Sequence, residues 1–157
     1  MQKFLKVKPY IYFLTIILLF AHNSVANNIN DEAYQWLKKY ITIDTVNPPG
    51  NEINAVNFYK EIFIKENITF YSAESAPSRG NIWARIKGGN KPALILLQHT
   101  DVVPANKEHW TVDPFTPTEI DNHLYGRGVL DMKGTGISQL ATFIHLKRMK
   151  KKLNRDV

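Results

Sequence analysis

Apolar residues recur at helical spacing twice in the first third of the folded part of the chain. Ala33, Trp36, Leu37, Tyr40 and Ile41 share one face, which predicts a helix from about Asp31 to Ile43. Asn30 is a suitable N-cap, and Asp31 and Glu32 fall in the first turn. The run Asn47-Pro48-Pro49-Gly50 cannot continue a helix. Ile53, Val56, Tyr59, Ile62 and Phe63, with Phe58 and Ile64 beside them, predict a second helix from about Glu52 to Glu66. The period then shortens. Residues 68–74 and 81–87 read as strands, and Gly88-Gly89-Asn90 as a hairpin turn. Residues 93–99, Ala-Leu-Ile-Leu-Leu-Gln-His, form a continuous apolar run, as expected of a central strand covered on both faces. A loop with three prolines follows from about Thr100 to Asp121, then a short strand around His123–Tyr125. A glycine-rich turn, residues 126–136, leads into a last helix from about Gly136 to Lys152. This order of elements predicts an α/β layer domain. In such domains chemistry gathers at the C-terminal ends of the strands.

Composition changes this picture mainly at the ends. Lys3, Lys6 and Lys8 precede an apolar stretch from Tyr10 to Ala21, and Ser24-Val25-Ala26 follows as a small-x-small cleavage site. Residues 1–26 therefore read as a secretory signal peptide, with an uncleaved N-terminal anchor as the alternative. After cleavage no stable membrane span is expected, and the protein would be periplasmic or extracellular. Residues 27–157 are enough for one domain. There is no cysteine, so an exported chain of this kind must rest on packing, or on packing plus metal. The net charge of +6 comes from the two ends. Lys147, Arg148, Lys150, Lys151, Lys152 and Arg155 crowd the tail, while residues 27–146 carry 11 Lys and Arg against 13 Asp and Glu. A nucleic-acid role has no support in that pattern. The tail reads as a helix C-terminus whose cations complement the dipole.

The candidate chemistry begins at His99. Residues i and i+2 of an extended segment point to one side, so Asp101 can accept the Nδ1–H of His99. That would leave Nε2 free for a metal; the alternative is a His–Asp hydrogen bond that pins the loop. Asp131 sits among glycines in a tight turn before a helix. A carboxylate there can bind one metal or bridge two, or it can serve as an N-cap or Asx-turn residue. Trp36, Trp83 and Trp110 read as core and loop-packing residues, and Arg127 as an anchor for the turn.

Taken together, His99-Thr-Asp-Val-Val-Pro-Ala105, Trp110, Asp113-Pro-Phe115 and Leu124-Tyr-Gly-Arg-Gly-Val-Leu-Asp-Met-Lys-Gly134 resemble the di-zinc aminoacylase/carboxypeptidase family of metallopeptidases. That family includes carboxypeptidase S, acetylornithine deacetylase and succinyl-diaminopimelate desuccinylase. Thr45–Glu52 and Arg79–Gly88 echo it further. The resemblance implies a three-layer α/β sandwich, with a mixed central sheet flanked by helices, of which this chain is the N-terminal part. It implies that His99 is a ligand to one zinc, that Asp101 orients His99 as part of the catalytic apparatus, and that Asp131 bridges both zincs. A cis peptide after Asp131 is also implied. The intact family site holds two zinc ions, with cobalt or manganese as alternatives by ligand type. It hydrolyses peptide or N-acyl amino acid bonds with a glutamate as general base. The family supplies that glutamate, further acidic ligands, a late histidine and a small dimerisation domain beyond the stretch matched here. Asp156 is the one acidic residue after Asp131, and His145 falls on the predicted helix. The chain is thus expected to be inactive alone; the competing reading is a non-enzymatic remnant or secreted binding module that keeps the scaffold.

Overall fold

The computed structural model describes residues 29–157 and is a mixed α/β fold. The signal peptide expected over residues 1–26 lies outside the described residues. Helix α1 covers residues 29–41 and is already helical at Asn30, which therefore lies inside it rather than capping it. It stops two residues earlier than predicted. Thr42 and Ile43 N–H turn back tightly to the carbonyls of Lys39 and Tyr40, and a buried lysine described below takes the carbonyls at that end.

Helix α2, Glu52–Lys65, follows the predicted face closely: Ala55, Val56, Phe58, Tyr59, Ile62 and Phe63 are buried. Ile64 falls off that face and is 66% exposed. Strands β1, Phe70–Glu74, and β2, Gly80–Ala84, form an antiparallel hairpin pairing Phe70 with Ala84 and Glu74 with Gly80. Phe70, Ile82 and Ala84 pack against the core. Tyr71 and Trp83 face outward and stack with ring centroids 6.0 Å apart. Trp83 is thus a surface partner of Tyr71, not the core residue expected.

Helix α3, Gly134–Met149, starts and ends earlier than predicted, and Lys150 closes it in the left-handed region at φ 52. Lys150, Lys151 and Lys152 therefore lie past the helix, so only Lys147 and Arg148 occupy its last turn. Arg148 also holds the helices together, donating to Glu66 of the α2 end at 2.6 and 2.9 Å and to Glu32 of α1 at 2.7 Å. The core is built where the three helices meet, from Tyr40, Phe58, Tyr59, Phe63, Ile137, Leu140, Phe143 and Ile144 with their neighbours. Tyr40 stacks on Phe58 at 5.1 Å and meets Tyr59 edge-on at 5.6 Å, the offset and T-shaped geometries that aromatic quadrupoles favour.

The glycines at 88–89 do not turn a hairpin into the next strand. Residues 86–94 run beside the last residues of the chain instead: Ile86 and Val157 exchange two backbone hydrogen bonds, Gly89 N–H reaches Leu153 O, and Leu94 N–H reaches Asp156 O. A Cβ on Gly88 would stand 1.9 Å from the Arg155 carbonyl oxygen, so the glycine is there for close backbone approach. Residues 93–99 are extended but join no ladder of their own. They are not the doubly covered strand predicted. Leu96 packs against the core, but Leu94, Ile95 and Leu97 are 47%, 78% and 77% exposed. A doubly covered strand needs paired neighbours on both edges and layers on both faces, and the described residues supply a layer on one face.

The proline loop carries a single 3-10 turn, Lys107–His109, and a strand the periodicity does not reveal: β3, Thr118–Ile120, pairs antiparallel with β4, His123–Tyr125. Asp121 and Asn122 connect them with φ of 50° and 61°, the two left-handed residues of a tight hairpin turn. No described helix is long and apolar enough to cross a membrane.

Candidate functional site

His99 stands at the end of the extended 93–98 segment, and the backbone just beyond it is tied down. Val102 N–H donates to Thr45 O at 3.0 Å and Asn47 N–H to Val102 O at 2.9 Å, a short parallel bridge between the two loops. Val102 is buried. Its side chain is why residue 128 is glycine: a Cβ there would lie 2.7 Å from Val102 Cγ1, and φ is +84°. The turn containing Asp131 thus lies flat on the segment containing Asp101.

Lys133 anchors that turn from the other side. It is almost fully buried. Its Nζ donates to the carbonyls of Tyr40 and Ile43, each at 2.8 Å, and lies 4.8 Å from the Tyr40 ring centre. Burial pushes the ammonium down to about 8. The lysine therefore fills the carbonyl-rich end of α1 while its own N–H bonds to Gly128 O at 2.7 Å. The periodicity did not find this role. One signal was present: a lysine at the start of α3 is on the wrong end of a helix dipole, which implies a partner elsewhere. Arg127, expected to anchor the turn, does so: its N–H bonds to Pro114 O at 2.6 Å, its guanidinium reaches Pro104 O at 3.4 Å, and it stacks over Trp110 at 5.2 Å.

These contacts bring the three predicted side chains together. His99 Nδ1 lies 3.1 Å from both Asp101 Oδ1 and the Asp101 carbonyl oxygen. His99 Nε2 lies 3.0 Å from Asp131 Oδ1. Asp131 lies inside the wide turn Val129–Lys133 with φ −128° and ψ 95°, and the N-cap position of α3 is taken by Lys133, so Asp131 does not cap that helix. Its peptide bond to Met132 is cis, as expected. His145 lies on α3 and takes no part.

The electrostatics follow the geometry. Asp101 is held below the usual carboxylate range, first by the hydrogen bond that Asn47 Nδ2 donates to its Oδ2 at 3.0 Å, then by His99. Partial burial works against the His99 imidazolium, but Asp131 and Asp101 outweigh it and carry the histidine above its ordinary value. Asn47 is a site residue that sequence reasoning passed over; it was visible only as part of the Asn-Pro-Pro-Gly break.

The donor types fit a divalent metal. Two ligands at about 2.0–2.1 Å on a tetrahedral ion stand roughly 3.3 Å apart, close to the observed 3.0 Å between Nε2 and Oδ1. Asp101 faces the other ring nitrogen and is not a donor at that place. Among the described residues no group of three or more histidine, cysteine or acidic side chains is arranged to hold a metal. His99 and Asp131 thus offer two donors side by side, short of the three protein ligands that a catalytic zinc takes.

Comparisons with known proteins bear on the family and the fold. Residues 95–157 match Peptidase family M20/M25/M40. A probable succinyl-diaminopimelate desuccinylase of Staphylococcus aureus strain Mu50 is 40% identical over 117 residues, 74% of this chain and 28% of that protein. The succinyl-diaminopimelate desuccinylase of Xanthomonas oryzae pv. oryzae strain PXO99A is 57% identical over 56 residues, 35% of this chain and 15% of that one. The chain thus spans less than a third of the length of these relatives. The crystal structure of human carnosine dipeptidase 1 superposes with a TM-score of 0.61 at 24% identity, covering 85% of this chain and 32% of that one; this likeness shows a shared fold. The chain belongs to peptidase family M20/M25/M40, and the stretch that carries the match is the one holding His99, Asp101 and Asp131.

Proposed function

We propose that this chain forms the metal-binding N-terminal part of an exported hydrolase that cleaves peptide or N-acyl amino acid bonds. The observation that carries the proposal is the convergence of His99 Nε2 and Asp131 Oδ1 to 3.0 Å, with Asp101 on the opposite ring nitrogen. In the reading proposed here His99 and Asp131 are ligands and Asp101 keeps the histidine in the ligating orientation. Zinc, when bound in such sites, polarises an amide carbonyl and activates water. The chain's own contribution is to hold the two donors on rigid supports: the Val102 bridge behind His99 and the buried Lys133 behind Asp131. A glutamate for general-base work and further ligands would be supplied by family segments outside those matched here, so residues 29–157 alone are expected to leave amides intact.

Zinc titration followed by calorimetry tests the metal reading. Weak binding is expected, lost in both His99→Ala and Asp131→Ala; binding that survives both substitutions would refute it. Export is tested by N-terminal sequencing of the protein recovered outside the cytoplasm, where a mature start at Asn27 is expected.

A further inference from the structure

We propose that Asn47 and Arg79, set by Glu52, are positioning residues that decide which nitrogen of His99 carries its proton. The inference rests on the metal reading above for its purpose but not for its test. Asp101 offers two oxygens. Oδ1 faces His99 Nδ1, and Oδ2 accepts from Asn47 Nδ2 at 3.0 Å. The Asn47 amide can point only one way. Its Oδ1 accepts from Arg79 Nη1 at 3.3 Å; flipped, it would turn an oxygen on the Asp101 carboxylate and an NH₂ on a guanidinium.

Arg79 is fixed in turn. Its Nε lies 2.8 Å from Glu52 Oε2, and Glu52, in the first turn of α2, is buried. Nη1 also donates to Pro49 O at 3.3 Å. Gly50, at φ +91°, lets the guanidinium approach: a Cβ there would stand 2.8 Å from it. The result is a line of alternating charge, Glu52, Arg79, the Asn47 dipole and Asp101, ending at His99. It ties Arg79, at the head of the Arg79–Gly88 stretch, to the Thr45–Glu52 stretch whose backbone already bridges Val102.

The line matters because His99 has a carboxylate on each side. A neutral imidazole has one N–H to give. The Asp131 side chain is 88% exposed and unsupported by a comparable network, whereas Asp101 is braced from behind. The braced carboxylate takes the proton on Nδ1, and Nε2 keeps its lone pair for a metal.

The test is the ¹⁵N chemical-shift pattern of His99 in the metal-free chain, at a pH where the ring is neutral, beside zinc affinity. The native chain should show the Nδ1–H form. Asn47→Asp, which sets carboxylate against carboxylate, and Arg79→Met should shift it toward Nε2–H and weaken zinc about tenfold or more. Arg79→Lys, which keeps the charge, should restore part of both. Asn47→Ala removes the donor without adding charge and serves if Asn47→Asp does not fold. A folded Asn47→Ala chain that keeps the native tautomer and zinc affinity would overturn the proposal. A tautomer shift in a chain that binds no zinc would uphold the relay and refute the metal reading.

Discussion

Residues 94–97 and 99–102 are neighbours on one extended segment, yet they meet opposite fates. In the first group Leu94, Ile95 and Leu97 stand well out into solvent. In the second, His99 and Asp101 are hydrogen-bonded and Val102 is buried and bridged to Val46. The difference lies in which parts of the chain reach them. The polar end is met by two loops: 45–47, which follows α1 and bridges Val102, and 126–133, whose Lys133 is tied to the end of α1. The apolar end depends on layers and edges, and here one face of it rests on Tyr59 and Leu96's core neighbours while the other stays open. A site can therefore be assembled by a few directed bonds where a strand's burial needs extended surfaces.

Four changes probe that contrast. The largest effect is expected from Lys133→Met. It leaves the Tyr40 and Ile43 carbonyls without their donor in a dry place, costing about 3 kcal/mol in urea melts. It should also free the Asp131 turn, seen as loss of the close His99–Asp131 approach. Arg148→Met comes next, at about 2 kcal/mol, since it strips charge-assisted bonds from Glu66 and Glu32, which are mostly out of solvent. It should loosen the helices without disturbing His99, so a changed His99 environment would argue that the two regions are coupled.

A pH effect of about 2 kcal/mol follows from Lys133. Its folded value, about 8, lies below the ordinary 10.5. Between the two the unfolded chain holds more protons, so stability should rise from about pH 8 toward 10. Above that, Tyr59, pushed up to about 12 by burial, works in the opposite direction. Lys133→Met should abolish the rise. The smallest effect belongs to the apolar end. Ile95→Thr with Leu97→Thr should move stability by no more than about 0.5 kcal/mol and raise solubility. A large loss would show that these side chains are covered in solution.

Much of this was legible from residue order. The buried face of α2, the strands around 70–74 and 80–84, and the gathering of His99, Asp101 and Asp131 follow from local periodicity and from a motif whose glycines and prolines act on their own backbone. Long-range partners were not legible. Nothing local says that Lys133 would cap a helix ninety residues earlier, that Asn47 would brace Asp101, or that Gly88 would make room for Arg155.

By itself the sequence determined which segments turn helical, which stay extended, and which three side chains, His99, Asp101 and Asp131, gather at one place, because spacing, dihedral preference and side-chain type are properties of neighbouring residues. Only the tertiary structure decided which face of residues 93–99 is covered and which donors hold the site. Burial and hydrogen-bond satisfaction depend on segments far apart in the chain, and those meet only when the chain folds.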